Sequence, residues 1–265
     1  MTEKRIIAHR GLPTLAPENT LANFELMPQY GVNWLETDLG ITKDEQAVVL
    51  HDDYLDRTTN GSGALTATSF RDLETYSAGS WFAKSFAQAK VPTLDQLVQF
   101  LNRTKINANI ELKAVIGPNA NALADRLVAQ FALAIDALDP GIDLIVSSFN
   151  PIMLLKLKRL RPNVKFAVLF ENHTFYEDWT LIMQAVGAKI IHPQNEGLTK
   201  ATVQAMKAYG YEVNVWTVDR IDRANELFNW GVDSIFTNVA DQFSAIQSGA
   251  KERTEGYGHF LTTWY

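Results

Sequence analysis

The chain has 265 residues, of which 46% are hydrophobic, and it carries a net charge of -6 and no cysteine. This length and apolar content suffice for one α/β domain with a large core, and the missing cysteines exclude disulfides, thiol nucleophiles and cysteine-ligated metals. The negative charge and the lack of a polybasic run argue against a nucleic-acid partner and against stable membrane association. Because only MTEK precedes the first strand and no apolar run is long enough to span a bilayer, the sequence favours a cytoplasmic protein with a small-molecule partner.

Short apolar runs alternate with helix-like stretches along the chain, which is the pattern of βα units that build a parallel sheet. The predicted strands are 5–9, 33–39, 108–113, 143–148, 164–170, 188–192, 212–217 and 233–237. The predicted helices are 20–30, 93–103, 122–138, 153–160, 179–187, 199–210 and 223–231. Helix start signals are Asn19 or Thr20 and Thr93, and stop signals are Gly187, Gly210 and Gly231. Eight strands with intervening helices predict a TIM (β/α)8 barrel, an α/β fold, in a single domain over 1–250.

One interval departs from this alternation. After the second strand, a turn near 43–46 is followed by AVVLHDD, so we expect a hairpin that brings His51 back towards Glu36 and Asp38. Residues 53–91 are polar, turn-rich and aromatic, and they predict an insertion that caps the carboxyl face of the barrel. The tail, 251–265, could pack on the barrel or on another subunit of a homo-oligomer.

Charged side chains recur near the ends of the predicted strands. Glu36 and Asp38 are two apart, so they project to one face of their strand, and the same spacing turns Glu111 and Lys113 to the barrel lumen together with Asn109. Unpaired charges there are costly, so they share an ion or neutralise one another. Glu36, Asp38 and Glu111 can converge on Mg²⁺ or Ca²⁺ through oxygen ligands, and a cytoplasmic compartment favours Mg²⁺.

Two histidines and two cations complete this candidate site. His9 and Arg10 end the first strand, and Gly11 allows the backbone to turn there. Arg10 and Lys113 are suited to an anionic substrate, while His9 and His51 can transfer protons because the unperturbed imidazole pKa is about 6.5. The metal and the cations would stabilise charge on phosphoryl oxygens. The pattern predicts a phosphodiester-cleaving site with no serine or cysteine nucleophile.

The sequence resembles the glycerophosphodiester phosphodiesterases, which share a TIM barrel with phosphatidylinositol-specific phospholipases C. The matching segments are AHRG (8–11) with PENTLANF (17–24), LETDLGITKDEQAVVLHDDYLDRTTNGSG (35–63), AGSWFAKSFAQAKVPTLDQL (78–97), IELK (110–113), VSSFNP (146–151) and VNVWTVD (213–219). They are spread over about residues 5 to 245. In the family an insertion lies between the HD and ELK motifs, as it is predicted to here.

The resemblance implies hydrolysis of a glycerophosphodiester to sn-glycerol 3-phosphate and an alcohol, through attack by the neighbouring glycerol hydroxyl and a cyclic phosphate that water opens. The residues that it implies are His9 and His51 as the acid/base pair, Glu36, Asp38 and Glu111 as metal ligands, Arg10 and Lys113 at the phosphate, and Trp216 against the glycerol. Phe149 is a further candidate for the same apolar wall. Asn19 is expected to order the loop and the helix start.

Two positions depart from the family pattern. Glu45 and Gln46 occupy the place of the usual hairpin glycine, which changes the turn but not the flanking acids. Asn238 stands where an aspartate is more usual after the last strand, and the departure is expected to leave every inferred catalytic position unaffected.

Two alternative functions remain open at this stage. A lysophospholipase D would use the same site on an acylated glycerophosphodiester, whose acyl chain the insertion could bind. A non-catalytic barrel would bind glycerophosphodiesters without cleaving them, although such a protein has no need of both histidines and all three carboxylates.

Overall fold

A computed structural model describes residues 4–243, and they form a closed barrel. Its strands are β1 Arg5–His9, β2 Trp34–Ile41, β3 Ala47–Val49, β4 Asn107–Leu112, β5 Leu144–Ser148, β6 Lys165–Phe170, β7 Ile190–Pro193, β8 Glu212–Val215 and β9 Ser234–Thr237. Without β3, eight strands run parallel in the order β1-β9-β8-β7-β6-β5-β4-β2, and pairing of β1 with β2 closes the ring. The predicted TIM barrel is confirmed.

Helices cover the outside of this barrel, apart from the second in chain order, which lies in the segment 53–91. They are α1 Leu21–Phe24, α2 Phe70–Leu73, α3 Leu94–Thr104, α4 Ala120–Ala137, α5 Pro151–Leu160, α6 Trp179–Val186, α7 Lys200–Ala208 and α8 Ile221–Trp230. The predicted start of α3 is confirmed, because Thr93 and Gln96 form a capping box. Gly187 and Gly231 end α6 and α8 in the left-handed conformation that glycine favours.

The first predicted helix, 20–30, is wrong in length. The chain forms only the four-residue α1 after the N-cap Thr20, and then a separate 3-10 helix over Met27–Tyr30. Pro28 stands at the start of this second segment. Because proline has no backbone N–H and clashes with the preceding turn, it interrupts the helix that the apolar spacing predicts.

The hairpin that departs from the βα alternation is present. β2 continues two residues beyond its predicted end and pairs antiparallel with β3, with Ile41 opposite Ala47. Thr42 shapes the turn, because its hydroxyl oxygen accepts a hydrogen bond from the backbone N–H of Gln46 at 3.0 Å. The return strand carries His51 back beside Asp38, whose negative charge acts on the imidazole.

Apolar side chains of the barrel divide between the two faces of the sheet. Ile110 and Leu112 belong to the large core between sheet and helices, while the alternate residues of β4 face the lumen. A smaller cluster fills the lumen, and its buried members are Ile7, Trp34, Ile145, Ala167, Ile190 and Phe236. Because this apolar cluster fills the lumen, polar side chains are found at the carboxyl ends of the strands.

Residues 53–91 build a compact segment with a core of its own. This core joins the hairpin and consists of Val48, Leu50, Leu55, Leu65, Leu73, Ala78 and Val91. Its role as a cap and the domain boundary at 250 stay predictions, and the tail 251–265 lies outside the described residues. Within 4–243, no helix has both the length and the apolar character that crossing a membrane requires.

Candidate active site

Three carboxylates meet at the carboxyl end of the barrel. Glu36 and Asp38 project from β2 and Glu111 from the adjacent β4, where Asp38 and Glu111 are register partners. One ligand oxygen from each lies within 4.8 Å of the others, and all three residues are buried. Parallel pairing of β2 with β4 produces this convergence, because it sets the two lumen-facing rows side by side.

The charge state of this cluster reflects its crowding. Burial raises the pKa of Glu36 well above its usual range, and the neighbouring Asp38 adds to the rise. Burial likewise raises the pKa of Glu111 to about 7, against the opposing effect of Lys113. Burial also acts to raise the pKa of Asp38, but the charges of His51, Lys113 and Arg10 outweigh it and the pKa is lowered.

The donor set fits a hard divalent cation. Asp38 Oδ1 is buried and has no hydrogen-bond partner within residues 4–243, although an orphaned buried acceptor is costly. Carboxylate oxygens are the ligands that Mg²⁺ and Ca²⁺ prefer. Glu36, Asp38 and Glu111 could therefore hold a metal ion.

The loop after β1 contacts this carboxylate cluster through hydrogen bonds. Asn19 donates from Nδ2 to Asp38 Oδ2 at 2.8 Å and accepts from Thr37 Oγ1 at 2.7 Å, so it orients a carboxylate, while Thr20 caps the helix. Gly11 has a φ of 86°, and a Cβ there would lie 1.8 Å from Asn23 Oδ1. Only glycine fits this turn, which sends Arg10 into the site.

Arg10 and Lys113 bring positive charge to the carboxylates. Arg10 donates its backbone N–H to Glu36 Oε2 at 3.0 Å, and its guanidinium Nε lies 3.6 Å from Asp38 Oδ2. Lys113 Nζ lies 2.8 Å from Glu111 Oε1 and 3.9 Å from Asp38 Oδ1. Arg10 Nε is buried and has no hydrogen-bond partner in the described chain. A donor of this kind is available to an anionic ligand.

His9 is oriented by a residue whose importance the sequence did not indicate. Its Nδ1 lies 2.8 Å from Asn238 Oδ1, and Asn238 Nδ2 donates to Asp219 Oδ2 at 2.8 Å. Asp219 fixes which way the amide faces, so Asn238 accepts and Nδ1 of His9 carries the proton. The position that departs from the family pattern therefore contacts an inferred catalytic residue, because the last strand ends beside the first in a closed barrel.

The remaining nitrogen of His9 faces the carboxylates. Nε2 lies 4.0 Å from Glu36 Oε2. Burial and the charge of Arg10 lower the pKa of His9 to about 4, so the imidazole is neutral at pH 7 and Nε2 can accept a proton.

His51 is held in the same way by a different set of residues. Its Nδ1 lies 2.5 Å from Asp52 Oδ1, which can only accept, so Nδ1 carries the proton and Nε2 is left free. Arg57 donates to Asp52 Oδ2 at 2.6 Å and to Glu18 Oε2 at 2.9 Å. Glu18 in turn accepts from Arg10 Nη1 at 2.7 Å. This network ties the insertion to the loop after β1.

Two aromatic side chains form an apolar wall in the same site. The rings of Phe149 and Trp216 meet edge to face with centroids 5.5 Å apart. Trp216 is held in place by a hydrogen bond from Nε1 to the carbonyl oxygen of His192 at 2.9 Å.

One cavity gathers most of the residues that the sequence singled out. Those that border it are His9, Arg10, Glu36, His51, Glu111, Phe149 and Trp216. Asp38 and Lys113 adjoin it through their ion pairs with Arg10 and Glu111. Sequence reasoning missed the supporting residues Asn238, Asp219 and Arg57; the family departure at 238 was the one available signal.

Comparison with known proteins identifies relatives along nearly the whole chain. The sequence model of the glycerophosphoryl diester phosphodiesterase family matches residues 9–242. A glycerophosphodiester phosphodiesterase of Caldanaerobacter subterraneus subsp. tengcongensis is 31% identical over 88% of this chain and 93% of its own length. One from Bacillus subtilis is 29% identical over 92% of this chain and 86% of its own.

Solved structures agree with these matches. An Oleispira antarctica phosphodiesterase in complex with the product sn-glycerol-3-phosphate is 29% identical and superposes with a TM-score of 0.84, covering 93% of this chain and 96% of that one. A glycerophosphodiester phosphodiesterase from Agrobacterium tumefaciens is 28% identical with a TM-score of 0.73, covering 92% of this chain and 100% of that one.

Proposed function

Because the chain belongs to the glycerophosphoryl diester phosphodiesterase family, we propose that it hydrolyses glycerophosphodiesters to sn-glycerol 3-phosphate and an alcohol. Family membership agrees with the predicted resemblance and with the predicted enzyme class. The observation that supports the substrate most strongly is the cavity itself, which two imidazoles, buried carboxylates and two aromatic rings line together. A relative with sn-glycerol-3-phosphate bound supports a small-molecule substrate of the same kind.

In this proposal His9 and His51 carry the proton transfers. Each uses Nδ1 for the bond that orients it, to Asn238 or to Asp52, and each keeps Nε2 for the reaction. One neutral imidazole accepts at Nε2 the proton of the glycerol hydroxyl that attacks phosphorus, and the other, which enters the step as imidazolium with a proton on both nitrogens, gives its Nε2 proton to the departing alkoxide. Water then opens the cyclic phosphate, with the proton transfers reversed. This route needs no nucleophile from the protein.

The charged residues bind and orient the phosphate. Arg10 and Lys113 neutralise a diester that carries one negative charge, and Arg10 Nε offers an uncommitted donor. Glu36, Asp38 and Glu111 hold Mg²⁺, with Ca²⁺ as the alternative that the same oxygen ligands accept. When bound, the ion supplies positive charge against the equatorial phosphoryl oxygens.

The aromatic wall binds the carbon skeleton of the glycerol. Trp216 and Phe149 meet edge to face and both line the cavity, so part of its wall presents apolar ring surface. The C–H groups of glycerol pack on such a surface while its hydroxyls turn to the polar side. This arrangement leaves one glycerol hydroxyl near the phosphorus.

Two readouts test the proposal: release of choline, which turnover of either substrate gives, and release of glycerol 3-phosphate, which only the soluble diester gives. Wild-type protein is incubated with glycerophosphocholine and with a lysophosphatidylcholine, first with Mg²⁺, then with Ca²⁺, then after exhaustive chelation. We expect release from the soluble diester, loss on chelation and restoration by a divalent ion. Turnover of the lysolipid alone identifies a lysophospholipase D, tight binding without release identifies a non-catalytic barrel, and full activity after chelation removes the metal from the mechanism.

A further inference from the structure

A second groove joins the active-site cavity at His51, which borders both. The hairpin supplies its floor, the insertion supplies one side and the loop after β4 supplies the other. The loop approaches the insertion closely, since a Cβ at Gly117 would lie 3.2 Å from Thr66 Oγ1. The residues that line this groove include Leu50, Asp53, Leu65, Thr66, Val115 and Ile116.

This groove begins at the phosphate site. Lys113 borders it and is ion-paired with Glu111, one of the three converging carboxylates. A phosphodiester has two organic arms on one phosphorus atom. The proposed function assigns the glycerol arm to the cavity with Trp216, so the second arm must leave in another direction. The groove beyond His51 and Lys113 is such a direction.

The charged side chains along the groove differ in whether another charged side chain binds them. The Asp52 carboxylate is bound by Arg57 and His51, and Lys113 is bound by Glu111. Asp53, by contrast, has no ion pair or side-chain hydrogen bond within residues 4–243, and it is exposed. The groove therefore keeps one uncompensated negative charge.

The rest of the groove offers few hydrogen bonds. Leu50 and Leu65 are buried beneath it, and Val115 and Ile116 form its opposite side. Thr66 is the one uncharged side chain with a hydroxyl in the lining. A polyol such as glycerol or inositol would leave several hydroxyls without partners, whereas methylene and methyl groups on a cation lose nothing against apolar walls.

We propose that this groove is the subsite for the leaving alcohol, that it favours a small cationic amino alcohol of the ethanolamine or choline type, and that Asp53 determines this preference. The inference rests on the proposed function and adds the class of the second product.

Competing diesters test the subsite. The kcat/KM values for glycerophosphocholine and glycerophosphoethanolamine are divided by that for glycerophosphoglycerol, at low ionic strength. We expect wild-type ratios of about five, the size of effect that one partly exposed charge pair gives. Asp53→Asn should bring the ratios close to one, and Asp53→Lys should bring them below one. Added salt should lower the wild-type ratio, because it screens exposed charges.

A matched control separates local charge from total charge. Glu74 is an exposed acid in the same insertion and has no ion pair in the described part of the chain, so Glu74→Gln should leave the ratios unchanged. Wild-type ratios near one, or ratios that Asp53→Asn and Asp53→Lys do not change, overturn the subsite while the hydrolase stands. Failure to release glycerol 3-phosphate from any of the three diesters instead overturns the proposed function.

Discussion

The first strand carries an arginine near each end, and the two differ in how completely they are bound. Arg5, at the amino end of β1, forms an ion pair with Glu212, donates from Nε to Ser234 Oγ at 2.8 Å and lies over the Trp34 ring at 5.2 Å. Arg10, just beyond the carboxyl end, donates to Glu18, but its buried Nε has no hydrogen-bond partner within residues 4–243. Arg5 is therefore a structural residue, whereas Arg10 keeps a donor that an anionic ligand can use.

This difference follows the polarity of the barrel. At the amino end of the barrel, Arg5 on β1 is paired with Glu212 on β8, and such pairs contribute to stability. At the carboxyl end, Asp38 Oδ1 and Arg10 Nε are both buried and have no hydrogen bond within residues 4–243. Buried polar groups are normally bonded, so such exceptions indicate a place where a ligand completes the network.

Replacing either histidine should have the largest effect. We expect His9→Ala and His51→Ala each to reduce kcat by about 10²-fold or more, because each removes a general acid or base. The measurement is glycerol 3-phosphate release, with circular dichroism to verify the fold. His173→Ala is the matched control, since His173 is exposed and is not among the residues that line the cavity. Near-normal activity in either active-site variant would remove that imidazole from the mechanism.

The two arginines provide the direct test of the comparison. Arg10→Met should lower kcat/KM by about 10²-fold, because it removes charge that faces the phosphate. Arg5→Met should leave kcat/KM unchanged and lower the free energy of unfolding by about 1–2 kcal/mol, a value reduced from that of a fully buried pair because both partners are partly exposed. Urea denaturation and steady-state kinetics on both variants check this. Equal loss of activity in the two would contradict the contrast.

Asn238 should have an intermediate effect on the rate. Asn238→Ala removes the acceptor that holds His9 Nδ1, and we expect kcat to fall about tenfold, the value of one orienting hydrogen bond, with little change in KM. Asn238→Asp keeps an acceptor oxygen and should retain more activity than the alanine variant, despite the nearby Asp219. If alanine and aspartate are equally active, Asn238 does not position His9.

The fold and the site differ in how much of them the sequence could reveal. Period-two spacing along a strand was enough to predict that Glu36, Asp38 and Glu111 share the lumen, and alternation of elements was enough for the barrel. The return of His51 towards Asp38 followed from the similar length of the two hairpin arms. The contact of His9 with Asn238 joins residues 229 apart in the chain, and only closure of β1 on β9 brings them together.

Local sequence signals did not predict the extent of the first helix or the contact that Asn19 makes. The apolar spacing over 20–30 predicts one helix, yet Pro28 divides the segment, and Asn19 turns its side chain away from the helix start to Asp38. Its preference for Asp38 depends on where β2 lies in space, which no neighbouring residue in the sequence specifies. Contacts of this kind decide the orientation of the carboxylates and become visible only in the folded barrel.

The smallest predicted effect is on stability and concerns the cluster without its cation. Burial and the neighbouring Asp38 disfavour the charged form of Glu36 in the metal-free protein and raise its pKa. Glu36→Gln keeps an oxygen that can accept the Arg10 backbone N–H and removes this cost of burying an ionisable carboxyl, so we expect the free energy of unfolding in chelator to rise by about 1 kcal/mol. Because a ligand that binds only the folded state stabilises it, Mg²⁺ should raise the stability of wild-type protein more than that of the variant. Urea denaturation with and without Mg²⁺ measures both differences. A variant that is less stable in chelator, or that gains as much from Mg²⁺ as the wild type, would mean that Glu36 is a structural group of the kind found around Arg5, and the contrast between the two ends of the barrel would have to be redrawn.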